Sequence, residues 1–200
     1  MLIEQWIGVY LAIVSFYSAY ILLPVVLHSK TLSSSLFALS VLSIFTSSIL
    51  VIFSLEGREW ANLSAIIFCL CALFALVRDS KPVFARFPAY FSLMPLISFL
   101  FYPVIMNTKV IENLVIATYQ GGAITVGLLI IVIHQIKYRN HLLLLSGAIL
   151  FLSSYILFWF FKDYSSISIF ILGVAIILIS QGLVSKNNKT LNLEDERRTP

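Results

Sequence analysis

The second apolar run of the chain is Leu32–Leu55, LSSSLFALSVLSIFTSSILVIFSL, and it contains no Asp, Glu, Lys or Arg. As an α-helix rising 1.5 Å per residue it would be about 36 Å long, which exceeds the hydrocarbon core of a bilayer, about 30 Å thick. The run also lacks the alternation of polar and apolar residues that is typical of strands in membrane barrels. It therefore predicts a helix that crosses a membrane.

Similar uncharged runs follow one another along the chain, separated by short clusters of charge. We predict seven membrane helices, at Trp6–Leu27, Leu32–Leu55, Trp60–Val77, Phe87–Met106, Asn113–Ile133, Leu142–Phe161 and Ser165–Val184. The composition agrees, because 60% of the 200 residues are hydrophobic, 11% are charged and the mean hydropathy is +1.00, whereas a soluble domain has roughly 25% charged residues. The sequence predicts an all-α, polytopic transmembrane bundle over residues 1–184. A polar, disordered cytoplasmic tail is expected over residues 185–200.

The basic residues predict the orientation of this bundle. Of the 13 Lys and Arg residues, ten lie on one predicted side: Lys30, Arg78, Lys81, Arg86, Lys137, Arg139, Lys186, Lys189, Arg197 and Arg198. Only Arg58, Lys109 and Lys162 lie on the other. Because basic loops stay in the cytoplasm, we expect an outside N-terminus and a cytoplasmic C-terminus. The first run is too long for a signal-peptide core, so we expect a retained helix.

None of the seven runs contains an ionisable Asp, Glu, Lys or Arg, which argues against proton relays and ion-coupled transport. Retinal binding is also disfavoured, because it requires a Schiff-base lysine in the last helix. The last predicted run contains no lysine, and Lys186 lies in the tail that follows it. Metal-ligand candidates lie at the predicted cytoplasmic rim, at His28, His134, His141 and Asp79. Their spacing follows no metal motif, and ordinary interfacial histidine is the favoured interpretation. We expect no cofactor, no metal and no nucleic-acid partner, and we interpret Cys69 and Cys71 as small core residues.

Small and hydroxyl residues recur along single faces of several predicted helices. The sets are Ser40, Ser43 and Ser47; Ala117, Gly121 and Thr125; Gly147 and Ser154; and Gly173, Ser180 and Gln181. Helices in lipid associate through close packing and interhelical hydrogen bonds, so such faces are typical of helix contacts. The alternative is that they line a narrow, mildly polar cavity that opens to one leaflet. Pro95 and Pro103 predict a kinked fourth helix, which would either open a cavity or follow its neighbours.

Three stretches of the chain follow short patterns that are typical of one family of membrane proteins. The penultimate run reads Gly-Ala-Ile-Leu-Phe-Leu-Ser-Ser-Tyr from Gly147 to Tyr155, against a family pattern Gly-Ala-x-Leu-Phe-x-x-Ser-Asp. The last run carries Gln181 followed by Gly-Leu, and the segment from Ser43 to Leu50 is similar to the family's Ser-x-x-Gly-Asp-x-x-Leu. Tyr119, in the fifth run, matches a tyrosine that this family has there. On these residues the chain resembles the YhhN family of lysoplasmalogenase-like membrane proteins. The family usually has eight helices, and we expect this chain to lack the first of them. The resemblance implies that fold, a bacterial-type inner membrane and a membrane lipid, in particular a lysophospholipid, as partner.

The chain departs from the family at its acidic positions. The family's Gly-Asp falls at Thr46-Ser47 or Ser47-Ser48 and its Ser-Asp at Ser154-Tyr155, so both aspartates are absent. The family's histidine is missing from Trp60–Val77 as well. Cleaving a vinyl ether requires protonation of a carbon and delivery of water, for which positioned carboxyl groups are suited and serine or tyrosine is not.

Two hypotheses about function follow. The favoured one is a non-catalytic relative that binds a lipid or a membrane partner. The alternative is an active lysoplasmalogenase-type hydrolase that cleaves the vinyl-ether bond of lysophospholipids. The family-site positions are Ser47, Ser48, Tyr119, Ser154, Tyr155 and Gln181, with no catalytic residue assigned. If the family site is retained, Ser47, Tyr119, Ser154 and Gln181 should converge on one interior pocket. The sequence gives no indication of oligomeric state.

Overall fold

The computed structural model describes residues 2–29, 31–80, 84–101, 121–122, 127, 142–160 and 165–198. Five α-helices have their bounds in these ranges: α1 (Leu2–Ser29), α2 (Leu32–Ile52), α3 (Arg58–Ser80), α4 (Leu142–Phe160) and α5 (Ser165–Arg198). Residues 121–122 and 127 are also α-helical. Two 3-10 helices, Phe84–Arg86 and Ala89–Phe101, lie between α3 and α4. These ranges contain no β-strand, so the all-α class is confirmed for the described part of the chain.

Four of the α-helices contain segments that are long and apolar enough to cross a membrane: Glu4–Leu27, Leu32–Ile52, Arg58–Asp79 and Ser166–Ser185. They coincide with four of the predicted runs. Large apolar side chains remain exposed on their outer faces, for example Ile13 and Phe16, each 64% exposed. Apolar surface of this extent is typical of contact with lipid or another protein. The fold is therefore compatible with an integral membrane protein, while the total of seven helices and the orientation of the termini stay predictions.

The turn between α2 and α3 shows why α2 ends at Ile52 rather than at the predicted Leu55. The N–H of Leu55 donates to the carbonyl of Leu50 (2.8 Å), and the N–H of Ser54 donates to that of Val51 (3.2 Å). These two bonds form a Schellman motif, which satisfies the last carbonyls of a helix and reverses the chain. Ser54 occupies the left-handed position with a φ of 53°, where glycine is the usual residue.

The fourth predicted run differs most from expectation. Instead of a kinked α-helix, residues Ala89–Phe101 form a 3-10 helix that contains Pro95. A proline has no N–H to donate and its ring clashes with the carbonyl four residues earlier, so the α-helical ladder is interrupted. A 3-10 helix rises about 2.0 Å per residue, so these 13 residues extend about 26 Å.

Helix α5 extends beyond the last predicted run, from Ser165 to Arg198, and therefore includes most of the segment that is predicted as a polar tail. Extending an existing helix requires no new nucleus, and the next proline comes only at Pro200. The division of the chain into a membrane bundle and a cytoplasmic tail stays a prediction.

The described elements pack against one another as a ring of helices. The 3-10 helix Ala89–Phe101 packs on α3, α3 on α2, α2 on α1, α1 on α5, and α5 on α4. The described residues of the fifth predicted run close this ring, because they approach both α3 and α4. A Cβ added at Gly122 would lie 3.6 Å from Leu70 of α3, and one at Gly127 would lie 4.0 Å from Leu152 of α4. Helix α1 therefore connects the two hairpins α2–α3 and α4–α5.

The core of this arrangement combines aliphatic and small side chains. Leu22, Val41, Leu63 and Ile67 belong to one buried cluster that joins α1, α2 and α3. Many of the buried polar side chains are serines. A serine hydroxyl can be buried in a helix bundle at low cost when it donates a hydrogen bond to a backbone carbonyl. The acceptors to which these hydroxyls donate therefore determine how the candidate site is arranged.

Candidate functional site

Ser47 and Ser48 lie next to each other on α2, and both are buried. The hydroxyl of Ser47 donates to the carboxamide oxygen of Asn62 on α3 at 2.6 Å. The hydroxyl of Ser48 instead donates to the carbonyl of Ile44 in its own helix at 2.8 Å. Ser47 thus joins two helices, and Ser48 does not.

Ser154 lies at the other hairpin. It is buried on α4, and its hydroxyl donates to the carbonyl of Ser168 on α5 at 2.7 Å. The neighbouring Tyr155 is half-buried on α4, and Gln181 is half-buried on α5. Tyr119 lies outside the described residues.

The family-site positions are therefore distributed over two interfaces. Ser47 forms its hydrogen bond between α2 and α3, and Ser154 forms its own between α4 and α5. In the packing order above these two hairpins are separated by α1 on one side. The convergence of Ser47, Tyr119, Ser154 and Gln181 on one pocket stays a prediction.

Asn62 is the residue of this set that the sequence analysis missed. It is the only carboxamide in the predicted run Trp60–Val77, and it belongs to none of the small-residue faces or family positions from which the other site residues are predicted. An uncharged amide within an apolar helix is itself a signal, because it brings two donors and an acceptor that must be satisfied or solvated.

The small-residue faces form helix contacts in the described residues. A Cβ at Gly147 would lie 2.8 Å from Ile179 Cγ1 and 2.9 Å from its backbone nitrogen. One at Gly182 would lie 2.9 Å from the backbone nitrogen of Leu144, so α4 and α5 approach each other closely at both positions. Gly173 likewise leaves room for the ring of Tyr10.

The serine face of α2 agrees only in part with this interpretation. Ser40 donates to the carbonyl of Ala65 on α3 at 2.7 Å, as expected for an interhelical contact. Ser43 instead donates to Leu39 of its own helix at 2.9 Å. On α5, Ser180 also bonds within its helix, to Ile176. Ala117 and Thr125 lie outside the described residues, and Gly121 has no atom within 4 Å of an added Cβ.

One buried hydroxyl has no partner among the residues that the structure describes. Ser18 on α1 is fully buried, and its Oγ makes no hydrogen bond to any of them. Ser15, one turn earlier and equally buried, donates to the carbonyl of Leu11 at 2.6 Å. Since buried polar atoms in folded proteins are nearly always paired, the Ser18 hydroxyl marks a place in the bundle where a hydrogen-bond acceptor would be stabilised.

Over the described ranges, charged side chains lie at the ends of the four candidate spans or outside them. At the predicted cytoplasmic end of α3, Arg78 pairs with Asp79 at 3.3 Å and donates from Nε to the carbonyl of Phe87 at 2.9 Å. Cys69 and Cys71 are free thiols. The part of the chain that the structure describes holds no group of three or more His, Cys, Asp or Glu side chains that could bind a metal.

No protein-family model, curated protein or solved structure matches this chain. The resemblance to the YhhN family thus stays a prediction that rests on the residues quoted for it.

Proposed function

We propose that this chain is a multi-pass membrane protein of the YhhN-like fold that binds a membrane lipid inside its helical bundle without hydrolysing it. The observation that carries the binding proposal is the buried, unpartnered hydroxyl of Ser18. An ether, ester or hydroxyl oxygen of a lipid would accept the hydrogen bond that the chain itself leaves unmade. The class of ligand comes from the family resemblance, which implies a lysophospholipid.

The use of the other hydroxyls supports a non-catalytic role. Ser47 and Ser154 occupy family-site positions, and each already donates its proton to an acceptor on a neighbouring helix. Hydrolysis of a vinyl ether needs a group that gives a proton to carbon at neutral pH. No carboxyl group lies within the predicted runs at Leu32–Leu55 or Leu142–Phe161 to do so.

The catalytic part of the proposal is tested by aldehyde release. Purified full-length protein in lipid nanodiscs is incubated with a lysoplasmalogen, and free aldehyde is measured against empty nanodiscs. We expect no release above that background. Turnover that is lost in Ser47→Ala and Tyr155→Phe variants would establish the hydrolase alternative instead.

The binding part is tested with two matched serine variants on α1. Ser18→Ala removes the unpartnered hydroxyl, and Ser15→Ala removes one that is already bonded within the helix. A lysophospholipid is titrated into each protein in micelles of a non-lipid detergent, and tryptophan fluorescence reports binding. Because one hydrogen bond contributes roughly 0.5–1.5 kcal/mol, Ser18→Ala should weaken binding by about 2- to 10-fold.

The two variants also separate binding from folding. Ser18→Ala should leave the free energy of unfolding unchanged or slightly higher, since it removes a buried group that has no partner. Equal affinity in wild-type and Ser18→Ala protein, or no saturable binding in either, would show that Ser18 does not hold a lipid.

A further inference from the structure

Helix α1 exposes one continuous face along its membrane segment. The large side chains on it are Trp6, Ile13, Phe16, Tyr17, Tyr20, Leu23 and Leu27. At 100° per residue they fall on one side of the helix, opposite the buried Val14, Ser18 and Leu22. We call this the α1 outer face. It contains two tyrosines, whose hydroxyls distinguish it from a purely aliphatic surface.

Both tyrosines lie deep in the membrane segment. The candidate span is Glu4–Leu27, so Tyr17 and Tyr20 lie about 2 Å and about 7 Å beyond its midpoint along the helix axis. Helical side chains tilt toward the N-terminus, which directs the Tyr20 ring back toward the middle of the bilayer. Tyr17 is 46% exposed and Tyr20 is 70% exposed.

A phenol hydroxyl at this depth requires a hydrogen-bond partner. Tyr10, on the same helix, shows how the chain provides one, because its hydroxyl donates to the carbonyl of Phe170 on α5 at 2.9 Å. Within the described ranges of the chain, Tyr17 and Tyr20 make no such bond, and both are exposed. Hydrocarbon tails carry neither donor nor acceptor, so a hydroxyl that has no partner among them is destabilising.

The missing partner can be a second copy of the same face. Two copies insert with the same orientation, so a two-fold axis along the membrane normal makes their α1 helices parallel and brings together residues whose depths differ by no more than about one helical turn, as those of Tyr17 and Tyr20 do. A tyrosine hydroxyl both donates and accepts, so two such faces satisfy each other. We propose that the protein dimerises through the α1 outer face, with Tyr17 of each copy donating to the hydroxyl of Tyr20 in the other.

Energy transfer between copies tests the hydroxyls directly. Full-length chains that carry donor or acceptor fluorescent proteins at the C-terminus are reconstituted over a range of protein-to-lipid ratios. The double variant Tyr17→Phe/Tyr20→Phe keeps both rings and removes only the oxygens. Interhelical hydrogen bonds average about 0.6 kcal/mol in membranes and a symmetric dimer contains two, so its dissociation constant should rise roughly tenfold. An unchanged constant would overturn the role of the tyrosines.

Cysteine cross-linking tests the geometry in membranes. In a Cys69→Ala/Cys71→Ala background, single cysteines are placed on the α1 outer face by Ile13→Cys or Leu27→Cys. Ile156→Cys on α4 is the control, because that residue is 48% exposed but lies on another helix. We expect covalent dimers for the two α1 positions and not for Ile156. Equal yields at all three positions indicate random collision in lipid and would overturn the dimer.

Discussion

The two hairpins of this protein are held together in different ways. In α2–α3, Ser40 and Ser47 donate hydrogen bonds across the interface, to a backbone carbonyl and to Asn62. In α4–α5, Gly147 and Gly182 bring the backbones into direct contact. Hydrophobic burial gives helices little reason to associate in lipid, so hydrogen bonds and close packing are the main forces available.

This difference implies a difference in tolerance to substitution. Removing a hydrogen bond between side chains costs only the net free energy of that bond, because the helices keep their separation. A close backbone contact cannot accept even one additional methyl group without moving the helices apart. We therefore expect α4–α5 to be the more sensitive hairpin.

Gly147→Ala should have the largest effect. Its Cβ would lie 2.9 Å from the backbone nitrogen of Ile179, which cannot rotate away. Overpacking costs about 1–3 kcal/mol, and the gain in helix propensity offsets about 1 kcal/mol of that. We expect a net loss of up to about 2 kcal/mol in the free energy of unfolding, measured by titrating SDS into mixed micelles.

Gly121→Ala is the control for this prediction, because an added Cβ there meets no atom within 4 Å. It should be neutral or slightly stabilising. If both substitutions leave the unfolding free energy unchanged, the close approach of α4 and α5 does not limit the stability of the bundle.

Ser154→Ala should have an intermediate effect in the same hairpin. It removes a buried hydrogen bond to the carbonyl of Ser168, whereas Ser153→Ala removes a bond to Ile149 within α4. Interhelical hydrogen bonds in membranes contribute about 0.6 kcal/mol on average and up to about 1.7 kcal/mol. We expect a loss of about 1 kcal/mol for Ser154→Ala and less than half of that for Ser153→Ala. Equal losses would mean that Ser154 does not join the two helices.

The apolar runs were sufficient to predict where the long helices lie, because a bilayer imposes a minimum length and excludes charge. The run at Leu32 begins α2 at the predicted residue. The prediction of a kinked α-helix in the fourth run was wrong, because Ala89–Phe101 is a 3-10 helix. Proline spacing indicates that the α-helix is interrupted but does not determine which type of helix replaces it. The end of α2 depends on a non-glycine residue in the left-handed region, Ser54, which no composition rule indicates.

The site was less predictable than the fold. Spacing along a helix places Ser40, Ser43 and Ser47 on a common side, yet only Ser40 and Ser47 reach α3. A serine hydroxyl has two acceptors within reach, one in its own helix and one across the interface, and a rotation of about 120° exchanges them. The choice depends on the distance to the neighbouring helix, which the sequence does not specify.

The smallest effect is expected at the α2–α3 interface, in the pair of Ser47 and Asn62. The hydroxyl is buried but the carboxamide is exposed, so lipid headgroups or water can replace part of the bond when it is removed. The single variants Ser47→Ala and Asn62→Leu and their combination form a double-mutant cycle. We expect a coupling free energy of about 0.5 kcal/mol, near the average for hydrogen bonds between membrane helices.

The value of this coupling decides between two descriptions of the α2–α3 hairpin. A coupling of about 0.5 kcal/mol means that Ser47 and Asn62 act as one contact in a row that also includes Ser40. A coupling near zero, with Ser40→Ala still destabilising, would restrict the contact to the deeper Ser40 and leave Ser47 free for a ligand. That second result would restore Ser47 as a functional candidate and would remove the contrast with α4–α5 at this end of the membrane.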